Sequence, residues 1–182
     1  MMRLPFYLDL GGIRAVHATW YPELVARVEG RSLEDGAFFL AGATPRTPEG
    51  EALEVLLRGL SIPLPQGTSF LDHSASPRTR IRARWWESAS EGVGYDALIF
   101  PANPDLPALP VDAQALALIP GYPEDAPPVF FGHYLKAADS PLAPERHNVA
   151  CLDHGGGSHG PLVAYRWNGE RHIRPEGYVV HG

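Results

Sequence analysis

Val129-Phe130-Phe131-Gly132-His133-Tyr134 is an apolar run of strand type that stops at a glycine and hands the chain to a histidine. Pro123, Pro127 and Pro128 crowd its upstream side, so the strand starts sharply and has little room to extend backwards. A histidine delivered at the end of a buried strand stands where open sheets place ligands and catalytic groups. Near the N-terminus Ile13-Arg14-Ala15-Val16 runs into His17 and then Ala18-Thr19-Trp20, a second strand with the same ending. Read together, His17 and His133 form one site. The plainer alternative is two core histidines satisfied by hydrogen bonds, and spacing alone does not separate the two.

Composition narrows the class. The chain has 182 residues and 45% hydrophobic content, enough for one ordinary domain over 1–182, and no internal repeat or second core is visible. A formal net charge of -6 argues against non-specific nucleic-acid binding, which needs concentrated lysine and arginine. Cys151 is the single cysteine, so a disulfide-built secreted scaffold is excluded. No apolar run approaches the ~18 residues of a membrane span, and the opening residues lack a signal-peptide core. The expectation is a soluble cytoplasmic protein. Nineteen glycines and nineteen prolines predict short elements and many loops.

Phe6–Leu10 and Ile13–His17 flank Gly11-Gly12 as a hairpin with a type I′ turn. Pro22 opens a short helix closed by Gly30, and Ser32–Leu40 forms a weaker one broken by Gly36. Pro48 opens the best helix, with Ala52, Leu53, Leu56, Leu57 and Leu60 at helical spacing and Gly59 and Pro63 to stop it. Thr68–Asp72 and Thr79–Trp86 form a second hairpin; Asp96–Phe100 is a short strand; 101–110 is extended; 111–119 makes a helical turn or two. Asn148–Asp153 is a buried strand, and Leu162–Trp167 pairs with Glu170–Ile173 across Asn168-Gly169 as a third hairpin.

Two further stretches carry chemistry. Arg78, Arg80, Arg82 and Arg84 alternate with Thr79, Ile81, Ala83 and Trp85. Such a face is either a solvated edge that discourages aggregation or the source of an arginine for an anionic substrate. His154-Gly155-Gly156-Gly157-Ser158-His159-Gly160 has the glycines to cradle a phosphate but neither the lysine nor the following helix of a P-loop. A hairpin connection accounts for it more simply, and His154 and His159 are poor metal candidates on such a loop.

The segments Tyr7–Trp20, Arg82–Trp86, Pro127–Tyr134, Asn148–Asp153 and Pro161–Glu170 together resemble the C-terminal portion of the calcineurin-like metallophosphoesterases. The branch they are most similar to is the bacterial one related to serine/threonine protein phosphatases and symmetrical diadenosine tetraphosphatases. The resemblance implies a hydrolase of phosphate esters with two divalent ions (Mn, Fe or Zn) and a four-layer αββα sandwich. This chain would supply the second sheet, its hairpins and its flanking helices. It implies that His17 and His133 each bind one of the two metals, and that Arg84 faces phosphate. At Asp153-His154-Gly155 the chain departs from the family's tyrosine after the aspartate.

The larger departure is that the GDxHG, GDxxDRG and GNHE stretches, which bring the bridging aspartate, the asparagine and two further histidines, do not occur here. The expectation is a partial domain that lacks the N-terminal metal-binding half: a fragment, a split gene product or a mis-started frame. Two-metal hydrolysis needs ions ~3.5–4 Å apart, each with several ligands, and two neutral imidazoles do not offset the repulsion of two dications. The chain alone is therefore expected to be inactive and to need a separate N-terminal half. The alternative is a non-catalytic binding or dimerisation module, a homodimer that retains the second sheet. No nucleic acid or membrane is expected as a partner.

Overall fold

Strand, hairpin and helix signals translate into a mixed α/β chain of short elements. The computed structural model describes residues 4–72, 75–88, 91–106, 108–158 and 160–181. In chain order the elements are β1 (Tyr7–Asp9), β2 (Arg14–Val16), α1 (Pro22–Arg27), α2 (Gly36–Ala43), α3 (Pro48–Arg58), β3 (Ser61–Pro63), β4 (Phe70–Leu71) and β5 (Pro77–Arg78). They continue with β6 (Arg80–Arg82), α4 (Tyr95–Leu98), α5 (Ala113–Leu116), β7 (Val129–Phe131), β8 (Val149–Cys151), β9 (Leu162–Tyr165) and β10 (Tyr178–His181). The chain divides into two compact units, one of Met1–Arg58 with Glu124–Gly182 and one of Gly59–Pro123. No helix among the described residues is long and apolar enough to cross a membrane.

The first unit is built on a four-stranded sheet in the order β1-β2-β7-β8. β1 and β2 form the expected antiparallel hairpin, with Tyr7 opposite Val16 and Asp9 opposite Arg14. Its turn is not type I′, which needs two positive φ values, because only Gly11 is left-handed, at 77°. Asp9 stabilises it twice: Oδ1 accepts from Gly11 N at 3.0 Å and Oδ2 from Arg14 Nε at 2.9 Å. β2 then pairs parallel to β7, and β7 parallel to β8. Every residue of β7 and β8 is buried, as apolar runs in a parallel sheet must be.

The helices of this unit follow the proline and glycine punctuation, with one correction. Gly36 does not break the second helix; it begins it. Asp35 immediately before it caps the helix, its Oδ1 accepting from Ala37 N at 3.0 Å and Phe38 N at 3.2 Å. α3 buries Ala52 and Leu56, and Leu60 falls beyond its end because Gly59 turns left-handed at φ 90°. α2 lies so close to α3 that a Cβ on Gly42 would stand 2.5 Å from Leu53 Cδ1. Leu56 O accepts from Ala18 N at 3.0 Å, which ties the end of α3 to the segment that follows His17.

The second hairpin is paired differently from the reading. β4 pairs with β5, whereas β6 pairs with β3, placing Ile62 opposite Ile81. The arm divides at Thr79, whose carbonyl accepts from Leu64 N at 2.9 Å and so belongs to the β3 side. The alternation holds only from Arg80 onward: Ile81, Ala83 and Trp85 are buried and Arg80 and Arg82 exposed, whereas Thr79, expected on the buried face, is exposed. Asp96–Phe100 is a helical turn rather than a strand, because Tyr95 and Leu98, three apart, bury together and only Ile99 bridges to Ala83. Trp85, Trp86, Tyr122 and Phe100 make edge-to-face contacts in the core of this unit.

The third hairpin is also re-paired. β9 takes β10 as its partner, with Leu162 opposite His181, so Glu170–Ile173 is not its second arm. The Asn168-Gly169 turn exists, with Gly169 at φ 96°, but Glu170 closes it locally. Its carboxylate accepts from Tyr165 Oη at 2.7 Å and Asn168 N at 2.8 Å. The 154–160 loop therefore links two different sheets and is not a hairpin connection.

Loss of the Asp35 cap leaves two helix-end amides without their acceptor, so Asp35→Ala should lower stability by about 1 kcal/mol. Urea unfolding should show the midpoint fall with an unchanged slope; an unaltered midpoint would contradict the capping role.

Candidate functional site

The parallel pairing of β2 with β7 brings the two sequence-singled histidines together. Arg14 is opposite Val129 and Ala15 opposite Phe130, and the ladder continues past both strands where Gly132 N donates to His17 O at 3.0 Å. Parallel neighbours end on the same side of the sheet, so His17 and His133 emerge side by side. Their ring centroids are 5.2 Å apart at 55°. His17 is exposed and His133 half-buried. Directly beneath, the buried Thr19 and Tyr134 share a hydroxyl–hydroxyl hydrogen bond of 3.0 Å that fixes the two departing segments to each other.

β8 adds a third strand end. Leu152 N donates to Phe131 O at 2.8 Å, and Asp153 follows. A Cβ placed on Gly132 would lie 3.6 Å from Asp153 Cβ and 3.7 Å from His17 O, so the segments after β2, β7 and β8 converge around Gly132. Asp153 Oδ1 accepts from Gly155 N at 3.1 Å. In the sequence Asp153 reads as the end of a buried strand and as part of a departure from the family pattern, not as a site residue. The signal was its offset from β8, which equals that of His133 from β7.

The left-handed residue at the strand end is His133, with φ 67°, and not the adjacent glycine. A left-handed histidine carries a steric cost that glycine would avoid. Strain of this kind gathers where a side chain must be aimed.

Beside this corner lies a buried charged group. Lys136 Nζ and Glu145 Oε1 pair at 2.8 Å with side chains only 11% and 9% exposed. Glu145 Oε2 also accepts from Cys151 N at 2.7 Å. Burial pushes the Cys151 thiol up to about 12, so it is no nucleophile at neutral pH. His154 is 1% exposed, and neither ring nitrogen has a hydrogen-bond partner among the described residues. Burial first, then the Lys136 charge, hold its pKa below the ordinary value, with Glu145 and Asp153 acting the other way.

In the glycine loop Ser158 N and Gly160 N both donate to Gly155 O, at 2.8 and 3.0 Å, so these two amides are engaged within the loop. His159 lies outside the described residues. Arg84 belongs to the second unit, where its Nε donates to Ile99 O at 3.2 Å and its backbone N to Leu98 O at 2.7 Å.

With metal–nitrogen bonds of ~2.0–2.1 Å, two imidazoles on one tetrahedral ion have ring centroids about 5 Å apart. The His17–His133 pair has that spacing. Among the described residues, no three His, Cys, Asp or Glu side chains converge to hold a metal ion. The pair fits as two donors to one ion and does not fit as a complete holder of two dications. No protein-family model, curated protein or solved structure matches the chain. What the site can do rests on its own chemistry: two adjacent imidazoles, partly open to solvent, with a carboxylate one strand away.

Two outcomes follow. Since the backbone at 133 is left-handed, His133→Gly should be more stable than His133→Ala by about 1 kcal/mol in urea unfolding; the reverse order would contradict that conformation. For His154, a folded-state pKa below the ordinary 6.5 means the unfolded chain takes up the proton first as pH falls. Its contribution is complete above that ordinary value and is lost as pH drops through the folded one. Unfolding free energies measured from pH 7.5 to 5 should fall less steeply in His154→Leu than in the native chain, and equal slopes would count against it.

Proposed function

We propose that this chain is the imidazole-bearing part of a calcineurin-like metallophosphoesterase, a phosphate-ester hydrolase of the cytoplasm. The observation that carries the reading is the meeting of His17 and His133, 5.2 Å apart, at the same ends of adjacent parallel strands. The segments that resemble the family supply both of these histidines. In this reading both rings serve a single ion, instead of one ion each, because their separation is that of ligands sharing a centre. The sheet of the first unit is the second sheet of the αββα sandwich.

Carboxylate donors have to come from elsewhere. Without them the imidazoles leave most coordination positions to water, and a second dication has no anionic ligand to hold it beside the first. The chain by itself is therefore not a phosphatase.

A non-catalytic, self-associating role has one observation in its favour. α2 has no charged or hydrogen-bonding side chain in any of its eight residues, and Phe39 and Leu40 on it are 49% and 68% exposed. Sedimentation separates the readings: a metal-free dimer that Leu40→Glu dissociates favours self-association.

After incubation with Mn2+ and gel filtration, the purified chain should retain less than one ion and hydrolyse no phenyl phosphate ester above the metal-only rate. Adding in trans a polypeptide that carries the GDxHG, GDxxDRG and GNHE stretches should restore hydrolysis, and His17→Gln should abolish it again. Two tightly retained ions with turnover by the chain alone would falsify the incomplete-site reading; failure of every such partner would remove the phosphoesterase reading.

A further inference from the structure

We propose that His147 and His172 form a binding site for one divalent transition-metal ion of the zinc, nickel and copper class, separate from the His17–His133 pair. Their ring centroids are 4.8 Å apart at 73°. That span again matches two imidazoles on one ion, for which metal–nitrogen bonds of ~2.0–2.1 Å set about 5 Å.

The pair is held from the backbone. Ile173 N donates to His147 O at 2.7 Å, so the segments bearing the two histidines run alongside each other just before the buried Asn148 and Ile173. Both segments are tied to the same turn: Arg146 reaches the Glu124 carboxylate at 3.3 Å and Arg171 the Asp125 carbonyl at 3.1 Å. The rings meet because four residues around them are anchored.

The protonation pattern is the one a ligand needs. His147 Nε2 lies 2.8 Å from Glu124 O, and a carbonyl only accepts, so Nε2 is the donor there and Nδ1 is the ring nitrogen left to face a metal. Metal-bound histidines commonly have this arrangement, one nitrogen on the metal and the other N–H on a backbone carbonyl that fixes the tautomer. His172 is exposed and His147 half-buried, so an ion reaches both from solvent. Imidazole nitrogen favours zinc, nickel and copper over magnesium or calcium, which take oxygen ligands. With two protein donors, water fills the remaining positions, and the affinity is that of a two-histidine site.

The alternative for the same geometry is edge-to-face packing of two rings with no ligand. Calorimetric titration of Ni2+ into the His17→Gln/His133→Gln chain separates the two. The expected result is one Ni2+ bound per chain, with affinity falling at least about tenfold on adding His172→Gln, an exposed change whose folding is checked by circular dichroism. In proton NMR of the native chain, Ni2+ should broaden the His147 and His172 imidazole signals ahead of that of His181, and Mg2+ should shift neither. If His172→Gln leaves the Ni2+ affinity unchanged, or the two signals broaden no earlier than His181, the rings are packed and not a site.

Discussion

Parallel pairing of β2, β7 and β8 is the constraint on which the rest of the first unit depends. Three-residue strands contribute few hydrogen bonds, so their direction and register are fixed by burial: all six residues of β7 and β8 are buried. Because parallel neighbours finish at one edge, residues 17, 133 and 153 arrive together although the chain separates them widely. An antiparallel β7 would have carried His133 to the far end of the sheet. The backbone bond from Gly132 to His17 and the Thr19–Tyr134 bond extend the constraint past the strands and into the site itself.

The same sheet shows how its edges are managed. β8 is an edge strand, yet its outer polar groups are taken by the segment before it. Glu145 and Arg146 donate to Val149 O, and the Glu145 carboxylate receives Cys151 N. An edge closed by its own chain offers no template to another sheet. Glu145 thus has two tasks, ion pair and edge cover, which accounts for a carboxylate being kept in so dry a place.

Much of this was legible in the sequence, and the failures have a common cause. Strand positions, strand ends and the meeting of His17 with His133 follow from apolar runs, prolines and the placement of histidine after a strand. Partner choice does not. The 162–165 strand has a strong turn signal just beyond it, yet it pairs with 178–181, because Glu170 holds the turn as a local knot. Thr68–Asp72 and Thr79–Trp86 likewise have the right pattern and the wrong partners. Gly36 read as a breaker because glycine weakens helix interiors, whereas Asp35 makes it a first residue. The burial of His154 and the approach of His147 to His172 depend on contacts distant in sequence, and no local pattern reports those.

Cys151 gives the fold a built-in clock. It is the sole thiol, it sits in the middle of the cluster that Glu145 closes, and burial keeps it protonated at ordinary pH. A thiol-specific reagent reaches it only in the moments when β8 lifts away, so the rate of labelling counts those openings. The strand that brings Asp153 to the histidines thereby reports, through one sulfur atom, how often that corner comes apart.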